Sequence, residues 1–414
     1  MPAMSIDRRT HLDADVRDLS GSGFFADDFP ALAARNGPLA AAGLTALHGR
    51  PLELHLPDGT FTVRAVDGTL VVDDEPADDP FAVDLDARQF SDWAQQLRTF
   101  NAMTVAHELR ITAGTVRDAE IWNAVWLALL EAWPVVDPDL EFVDRSGRPL
   151  DLQRAFTPDD DPADVAHHLR EVGYLHLRGW LDPADMDRIA DDIDRALPTY
   201  SEGDGRSWWA TTADGARRCV RLQHFVEHSP TTARVLAGDR WQQVRTTLQG
   251  DEHLVQGPIE GNCIEALVKP LGVVEGISDV PWHRDCNFGR HAYGCSGTVI
   301  GISVTAGTET SGLLRAVAGS HRVGMPSIFA HGHSYLPVVA LPTEAGDVTV
   351  HLSCTLHEAM PPLERPRKVM YTGFGLPPRV GDRTEAKRDI AELRERAYKL
   401  QSQPPSPVAS RPPS

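Results

Sequence analysis

From Ile264 to about Leu376 the chain is a succession of short strand-like runs punctuated by Gly and Pro. That spacing leaves a sandwich or barrel as the way to bury the apolar faces. The chain upstream is built differently. Leu52, Leu54 and Leu56 alternate with polar residues, Pro57-Asp58-Gly59 turns the chain, Phe61, Val63 and Ala65 alternate again, and Asp67-Gly68 turns it back into Leu70–Val72. Alternation interrupted by Asp-Gly predicts hairpins. Phe81, Val83 and Leu85 predict one more strand. The period then lengthens: Phe90, Trp93, Leu97 and Phe100 fall on one helical face, and Ala119–Trp133 is apolar almost all round, as in a helix buried against a sheet.

These patterns divide the chain. Residues 1–40, rich in Ala, Gly and Asp, read as a loosely packed leader. Residues 41–155 read as an α+β domain. A Pro- and Asp-rich stretch at 157–164 leads into a mainly β domain with flanking helices over 160–380. It opens with a helix around Val165–Val172, a strand at Tyr174–Leu177, and a helix begun by Asp182-Pro183 with Met186, Ile189, Ile193 and Leu197 on one face. Residues 381–414 read as a charged helix and a disordered Pro/Ser-rich tail.

The 414 residues carry 40 Lys and Arg against 59 Asp and Glu, a formal charge of −19. Such a surface repels phosphate backbones and anionic membranes, so nucleic acid is not an expected partner. No apolar run is long enough to span a bilayer. The N-terminus lacks the apolar core of a signal peptide, which points to the cytoplasm. The five cysteines, Cys219, Cys263, Cys286, Cys295 and Cys354, include no CxxC pair. Thiolate zinc clusters and thioredoxin-type chemistry therefore have little support, and free buried thiols are expected. Oligomeric state is not legible.

Pro281-Trp282-His283-Arg284-Asp285 carries the clearest chemistry. A His and an Asp two apart on an extended strand point to the same side and can share one metal ion. A second His would complete a 2-His-1-carboxylate set, which leaves open positions on ferrous iron. His357, in Cys354-Thr355-Leu356-His357, is the candidate. Three landmarks accompany the pair in order: SGLLRAVAGSHR at 311–322, AGD at 345–347, and LHEAMPPLERPRKVMYTGF at 356–374.

Together these motifs resemble the phytanoyl-CoA dioxygenase family of Fe(II)/2-oxoglutarate-dependent oxygenases, over about residues 160–378. The resemblance implies a double-stranded β-helix, or jelly roll, with His283, Asp285 and His357 as ligands of Fe(2+). It implies 2-oxoglutarate and O2 as co-substrates and oxidation, usually hydroxylation, of an unactivated C–H in a small-molecule substrate. An Arg after the second His would clamp the distal carboxylate of 2-oxoglutarate bidentately. Arg367 matches best, with Arg365 and Lys368 left open. Lys269 matches a Lys that could face the co-substrate. The chain departs from the pattern at Ala359, Pro362 and Arg284. The carboxylate at Asp285 favours hydroxylation over halogenation.

The remaining candidates are weaker. Gly319-Ser320-His321-Arg322 reads as a structural turn, and His351, which on a strand could face the cavity, as a core or surface residue. His291, His331 and His333 read as loop residues. Trp208 and Trp209, in a Gly/Ser/Thr-rich loop, and His224 are candidate substrate contacts. The hairpins and helices of the N-terminal part resemble a sterol-carrier-protein-2-like domain in pattern alone. Two other readings stay open: a non-catalytic metal- or ligand-binding protein of the same fold, and a metalloenzyme that does not use 2-oxoglutarate.

Overall fold

The computed structural model describes residues 7–249, 255–256, 264–276, 279–288, 291–295, 297–330 and 334–382. The expected charged helix and Pro/Ser tail lie outside the described residues, as do His331, His333 and Cys263.

The N-terminal hairpins form as the alternation requires. Strands β1 (Leu52–Leu56), β2 (Gly59–Val66) and β3 (Thr69–Asp73) pair antiparallel, with Leu54 opposite Phe61 and Arg64 opposite Val71. Asp67 and Gly68 both have positive φ, 48° and 79°, as a tight hairpin turn needs. Strand β4 (Phe81–Asp84) returns parallel to β1, and β5 (Arg110–Ala113) completes the order β3-β2-β1-β4-β5.

The helical face expected from Phe90 to Phe100 is interrupted. Helix Ala87–Ala94 ends, Gln96 takes a φ of 60°, and a second helix, Phe100–Val105, begins. The cause is local: the Thr99 hydroxyl accepts the Ala102 N–H at 3.0 Å and caps a new start. Helix Val116–Glu131 is buried nearly all round, as its composition predicts. Its Trp126 stacks on Trp93 at 4.1 Å, and Trp93 on Phe100 at 4.8 Å, so rings fill this interior.

The leader reading is corrected. Residues Phe29–Ala46 form a helix, and Phe24, Phe25 and Phe29 enter the same core as Trp93 and Trp126. Phe25 stacks on Phe61 of β2 at 4.8 Å. Small residues, which resemble a loose segment in composition, let this helix approach closely. A Cβ at Gly43 would come within 2.5 Å of the Val135 side chain.

The rest of the chain forms two sheets. Its strands are β6 (Ala155–Phe156), β7 (Tyr174–Leu177), β8 (Ser207–Thr212), β9 (Arg217–Leu222), β10 (Val255–Gln256), β11 (Glu265–Lys269) and β12 (Val273–Glu275). They continue with β13 (Val280–His283), β14 (Thr298–Ser303), β15 (Leu314–Val317), β16 (Val338–Leu341), β17 (Val348–Leu352), β18 (His357–Ala359) and β19 (Arg367–Gly375). The large sheet runs β12-β8-β9-β11-β19-β14-β17-β7-β6, with β10 also on β19. The small sheet runs β13-β18-β15-β16. This is the sheet-rich architecture with flanking helices that the punctuation predicts.

Alternation along the large sheet separates its faces. Ile300, Ile302, Val348, Val350, Met370 and Phe374 pack under helix Pro183–Ala196 through Met186, Ile189 and Ile193. That helix starts as expected, with the Asp182 carboxylate accepting the Ala184 N–H at 2.9 Å. The opposite face carries Thr349, His351, Tyr371 and Arg367. Asp347 pins the turn into β17: it accepts the Gly179 N–H at 2.8 Å and pairs with His176 at 2.9 Å. The two halves of the chain meet at Glu120, whose carboxylate accepts Ser327 Oγ at 2.6 Å and the Ile328 N–H at 3.1 Å.

The integration of the N-terminal segment has a measurable consequence. Phe24→Ala should destabilise the protein by about 3–5 kcal/mol, the cost of emptying an aromatic core site. Urea unfolding checks this; an unchanged midpoint would restore the leader reading.

Candidate metal centre

His283 ends strand β13 and faces His357 of β18 as its register partner. Residues directly opposite on antiparallel strands share a face, so both rings project together. Their centroids are 4.2 Å apart. The expectation that Asp285 continues the same strand is corrected: the strand stops at His283, and Asp285 opens a short helical turn to Phe288. The turn delivers the carboxylate to the same place. Asp285 Oδ1 lies 3.5 Å from His283 Nε2, and Oδ2 lies 3.9 Å from His357 Nε2. One ligand atom from each of the three residues falls within 4.8 Å of the others.

Hydrogen bonds behind the rings set which nitrogen faces forward. His283 Nδ1 donates to the Pro281 carbonyl at 2.8 Å, and His357 Nδ1 to the Thr355 carbonyl at 2.9 Å. Both Nε2 lone pairs are thereby free for a cation. Asp285 Oδ2 is buried with no hydrogen-bond partner. An unpartnered buried carboxylate oxygen is costly, and a cation between the three side chains would relieve it. Burial pushes the Asp285 carboxyl up, but the rings of His357, His283 and His351 outweigh it and hold the group well below the usual range. Burial and the neighbouring His351 and His283 push His357 well down, while Asp285 overcomes burial and raises His283. The donor set fits a divalent metal.

His351 is a neighbour the sequence reading set aside. It is buried on β17, its ring lies 3.8 Å from that of His357, and its Nδ1 lies 3.8 Å from Asp285 Oδ2. Strand parity could have found it. Val348, Val350 and Leu352 enter the helix-covered core, so Thr349 and His351 must turn the other way. The same count finds Tyr371, two residues from Val369 and four from Arg367.

The three candidate cations separate clearly. Arg365 is exposed on the turn before β19. Lys368 points to the helix side and pairs with Asp194 at 2.7 Å. Arg367 is 2% exposed on the site face. Its Nη1 donates to the Gly312 carbonyl at 2.7 Å, while its buried Nε has no partner. Lys269 is the register partner of Arg367 across β11 and β19 and donates to the Met360 carbonyl. Burial first, and Arg367 second, push the Lys269 amine down to about 7. Gly307 lets the backbone pass this guanidinium; a Cβ there would sit 2.7 Å from Arg367 Cζ.

Beside His283 opens a cavity of about 180 Å³. Trp282, His283 and Ser327 form one side, and Asn101, Thr104, Val105, Val116 and Glu120 of the N-terminal unit form the other. The remaining sequence candidates do not line it. Trp208 and Trp209 lie in strand β8 rather than a loop. Trp208 sits under the Arg221 guanidinium at 4.4 Å, on the site-facing side but three strands from β19. Trp209 packs against the helix-covered core. His224 pairs with Glu227 at 3.4 Å. His291 is buried rather than loop-exposed, stacked on Trp133 at 4.8 Å. Gly319-Ser320-His321 is a structural turn: the Ser320 hydroxyl accepts the Leu356 N–H at 2.8 Å, and His321 Nε2 bonds the Arg170 carbonyl.

Residues 169–363 match the family model described as Phytanoyl-CoA dioxygenase (PhyH). Among solved structures, the chain is similar to AviO1 from Streptomyces viridochromogenes Tue57, at 21% identity and TM-score 0.42, over 53% of this chain and 97% of that one. It is similar to EctD from S. alaskensis, with 2-oxoglutarate and 5-hydroxyectoine, at 19% identity and TM-score 0.42, over 57% and 83%. The epimerase SnoN, in complex with Fe3+, alpha ketoglutarate and nogalamycin RO, aligns at 21% identity and TM-score 0.41, over 52% and 84%. A search of the curated proteins found no match. No helix among the described residues is long and apolar enough to cross a membrane. His283, Asp285 and His357 all lie within the residues that match this family model.

Proposed function

We propose that this chain is a non-haem iron, 2-oxoglutarate-dependent oxygenase that oxidises a C–H of a small molecule, with the two sheets acting as a double-stranded β-helix around the metal. The observation that carries the reading is the convergence of two Nε2 atoms on the Asp285 carboxylate, whose Oδ2 is buried with no hydrogen-bond partner among the described residues. His283, Asp285 and His357 would hold ferrous iron and leave positions open for co-substrates. Bound there with 2-oxoglutarate and O2, the iron supplies oxidising power that no side chain has.

The chain's own residues do the rest. The Pro281 and Thr355 carbonyls keep both imidazoles in the ligating tautomer. Arg367, buried and one N–H short of partners, would take the far carboxylate of 2-oxoglutarate, with Lys269 adding charge beside it. Gly307 keeps the guanidinium in that place. The cavity beside His283 would hold the substrate, and its N-terminal wall would exclude water and select shape. Trp208 and Trp209 are too distant to serve as first contacts for a small molecule; Trp208 could meet only an extended one. Hydroxylation is the reaction that a carboxylate at Asp285 favours.

Anaerobic titration of the metal-free protein with Fe(II), then 2-oxoglutarate, should produce the visible charge-transfer band of a chelated keto acid. The band should be absent in His283→Ala. Iron binding without the band would favour a metalloenzyme that does not use 2-oxoglutarate. No iron binding would favour a binding protein of the same fold.

Gly307→Ala should push the Arg367 guanidinium aside and weaken 2-oxoglutarate roughly tenfold, with Arg367→Leu roughly 10–100-fold weaker, while iron affinity stays unchanged. Unaltered 2-oxoglutarate affinity in both variants would remove Arg367 from this role.

Val105→Trp should fill the cavity beside His283. Substrate-stimulated succinate formation should fall roughly tenfold or more while the anaerobic band persists. Unchanged stimulation would place the substrate elsewhere.

A further inference from the structure

One residue beyond Asp285 begins a second cluster. The sulfurs of Cys286, Cys295 and Cys354 all lie within 4.8 Å of one another, and Cys295 Sγ is 3.4 Å from Cys354 Sγ. They come from three places: the turn after β13, the end of the short helix His291–Gly294, and the turn between β17 and β18. Three thiolates on the corners of a tetrahedron around a zinc-sized ion, with metal–sulfur bonds of about 2.3 Å, stand about 3.8 Å apart. Cys295 and Cys354 are buried against Leu127 and Trp133, with Cys286 at the edge.

The surroundings favour a cluster with negative charge. Arg284 is 5% exposed, and among the described residues no carboxylate pairs with it. Its guanidinium donates to the carbonyls of Cys354, Met325, Ser320 and Val323, at 2.9, 2.6, 2.9 and 3.1 Å. The Glu120 charge reaches it without forming an ion pair, so this buried cation still lacks a counter-charge in contact. Three thiolates around a divalent ion leave one net negative charge and would provide it. His291 Nδ1 is buried with no hydrogen-bond partner. Arg284, Cys286, His291 and Trp133 line one small cavity of about 40 Å³, room enough for an ion or a water.

We propose that Cys286, Cys295 and Cys354 form a second metal site, for a thiophilic divalent cation of the zinc class, with its fourth position open to solvent or to a shift of His291 across the shared cavity. The three thiols release their protons to solvent as the metal binds, and no electron is transferred. The site locks three loops around Asp285 and His357, and its role is to hold those ligands in place. It stands whether or not His283, Asp285 and His357 bind iron.

The test uses the full chain, reduced and metal-free, with Co2+ alone added under anaerobic conditions. A near-ultraviolet thiolate-to-cobalt band should grow to one equivalent and be bleached by Zn2+. It should persist in His283→Ala, which disables the first site, and vanish in Cys295→Ser. Cys286→Ser, at the cluster's edge, should weaken Zn2+ at least roughly tenfold with an unchanged circular dichroism spectrum. Absence of the band from the unmodified chain would overturn the proposal. So would its survival in both cysteine variants, or thiol counting that finds Cys295 and Cys354 joined as a disulfide when Zn2+ is present.

Discussion

A buried carboxylate oxygen with no hydrogen-bond donor is the interaction around which this molecule is arranged. Asp285 Oδ2 is held there by a turn, near the His357 and His351 rings, and the Nδ1 atoms of His283 and His357 are committed to backbone carbonyls. The geometry follows from one register. Because His283 and His357 are opposite each other on β13 and β18, a slip of one residue would turn one ring to the far side of the small sheet. Two contacts beside it help hold that register: the Ser320 hydroxyl accepts the Leu356 N–H, and the Thr355 hydroxyl donates to the carbonyl of Gly173, which caps helix Pro162–Val172.

The large sheet contributes by parity. One face is covered by helix Pro183–Ala196 and is mainly apolar; the other presents Arg367, Tyr371 and His351. Burying Arg367 and Lys269 as neighbours is unfavourable in itself, which is why Lys269 is driven toward neutrality. An anionic ligand between them would offset that cost. The N-terminal unit then closes the remaining side, through Glu120 and the helix Phe100–Val105, so the cavity beside His283 belongs to both halves of the chain.

Much of this was legible. The Asp-Gly hairpin, the strand at Tyr174–Leu177 and the helix begun at Asp182 depend on nearest neighbours, and they stand where the sequence places them. The proximity of His283, Asp285 and His357 was legible in their motifs, though the strand expected to carry Asp285 ends too soon. The leader was misread because Ala and Gly signal looseness in composition yet permit close helix packing once a partner such as Val135 exists. The break at Thr99 was missed because periodicity takes no account of a side-chain cap. Trp208 and Trp209 resembled a loop because Gly, Ser and Thr flank them, but β-branched and aromatic residues in a hairpin fit a strand equally well.

By itself the sequence determined the local elements, the sheet-rich class of the C-terminal half, and the identity of the residues able to ligate a metal. Tertiary structure decided which of them meet. Arg367 rather than Arg365 or Lys368 is turned inward because strand parity acts only after β19 has paired with β11 and β14. His351 joins the site because the two sheets face each other. Cys286, Cys295 and Cys354 share one point in space although no CxxC spacing announces them, since three loops converge there only when the strands between them are in register. Contacts between residues far apart in sequence are set by packing, and no local pattern records them.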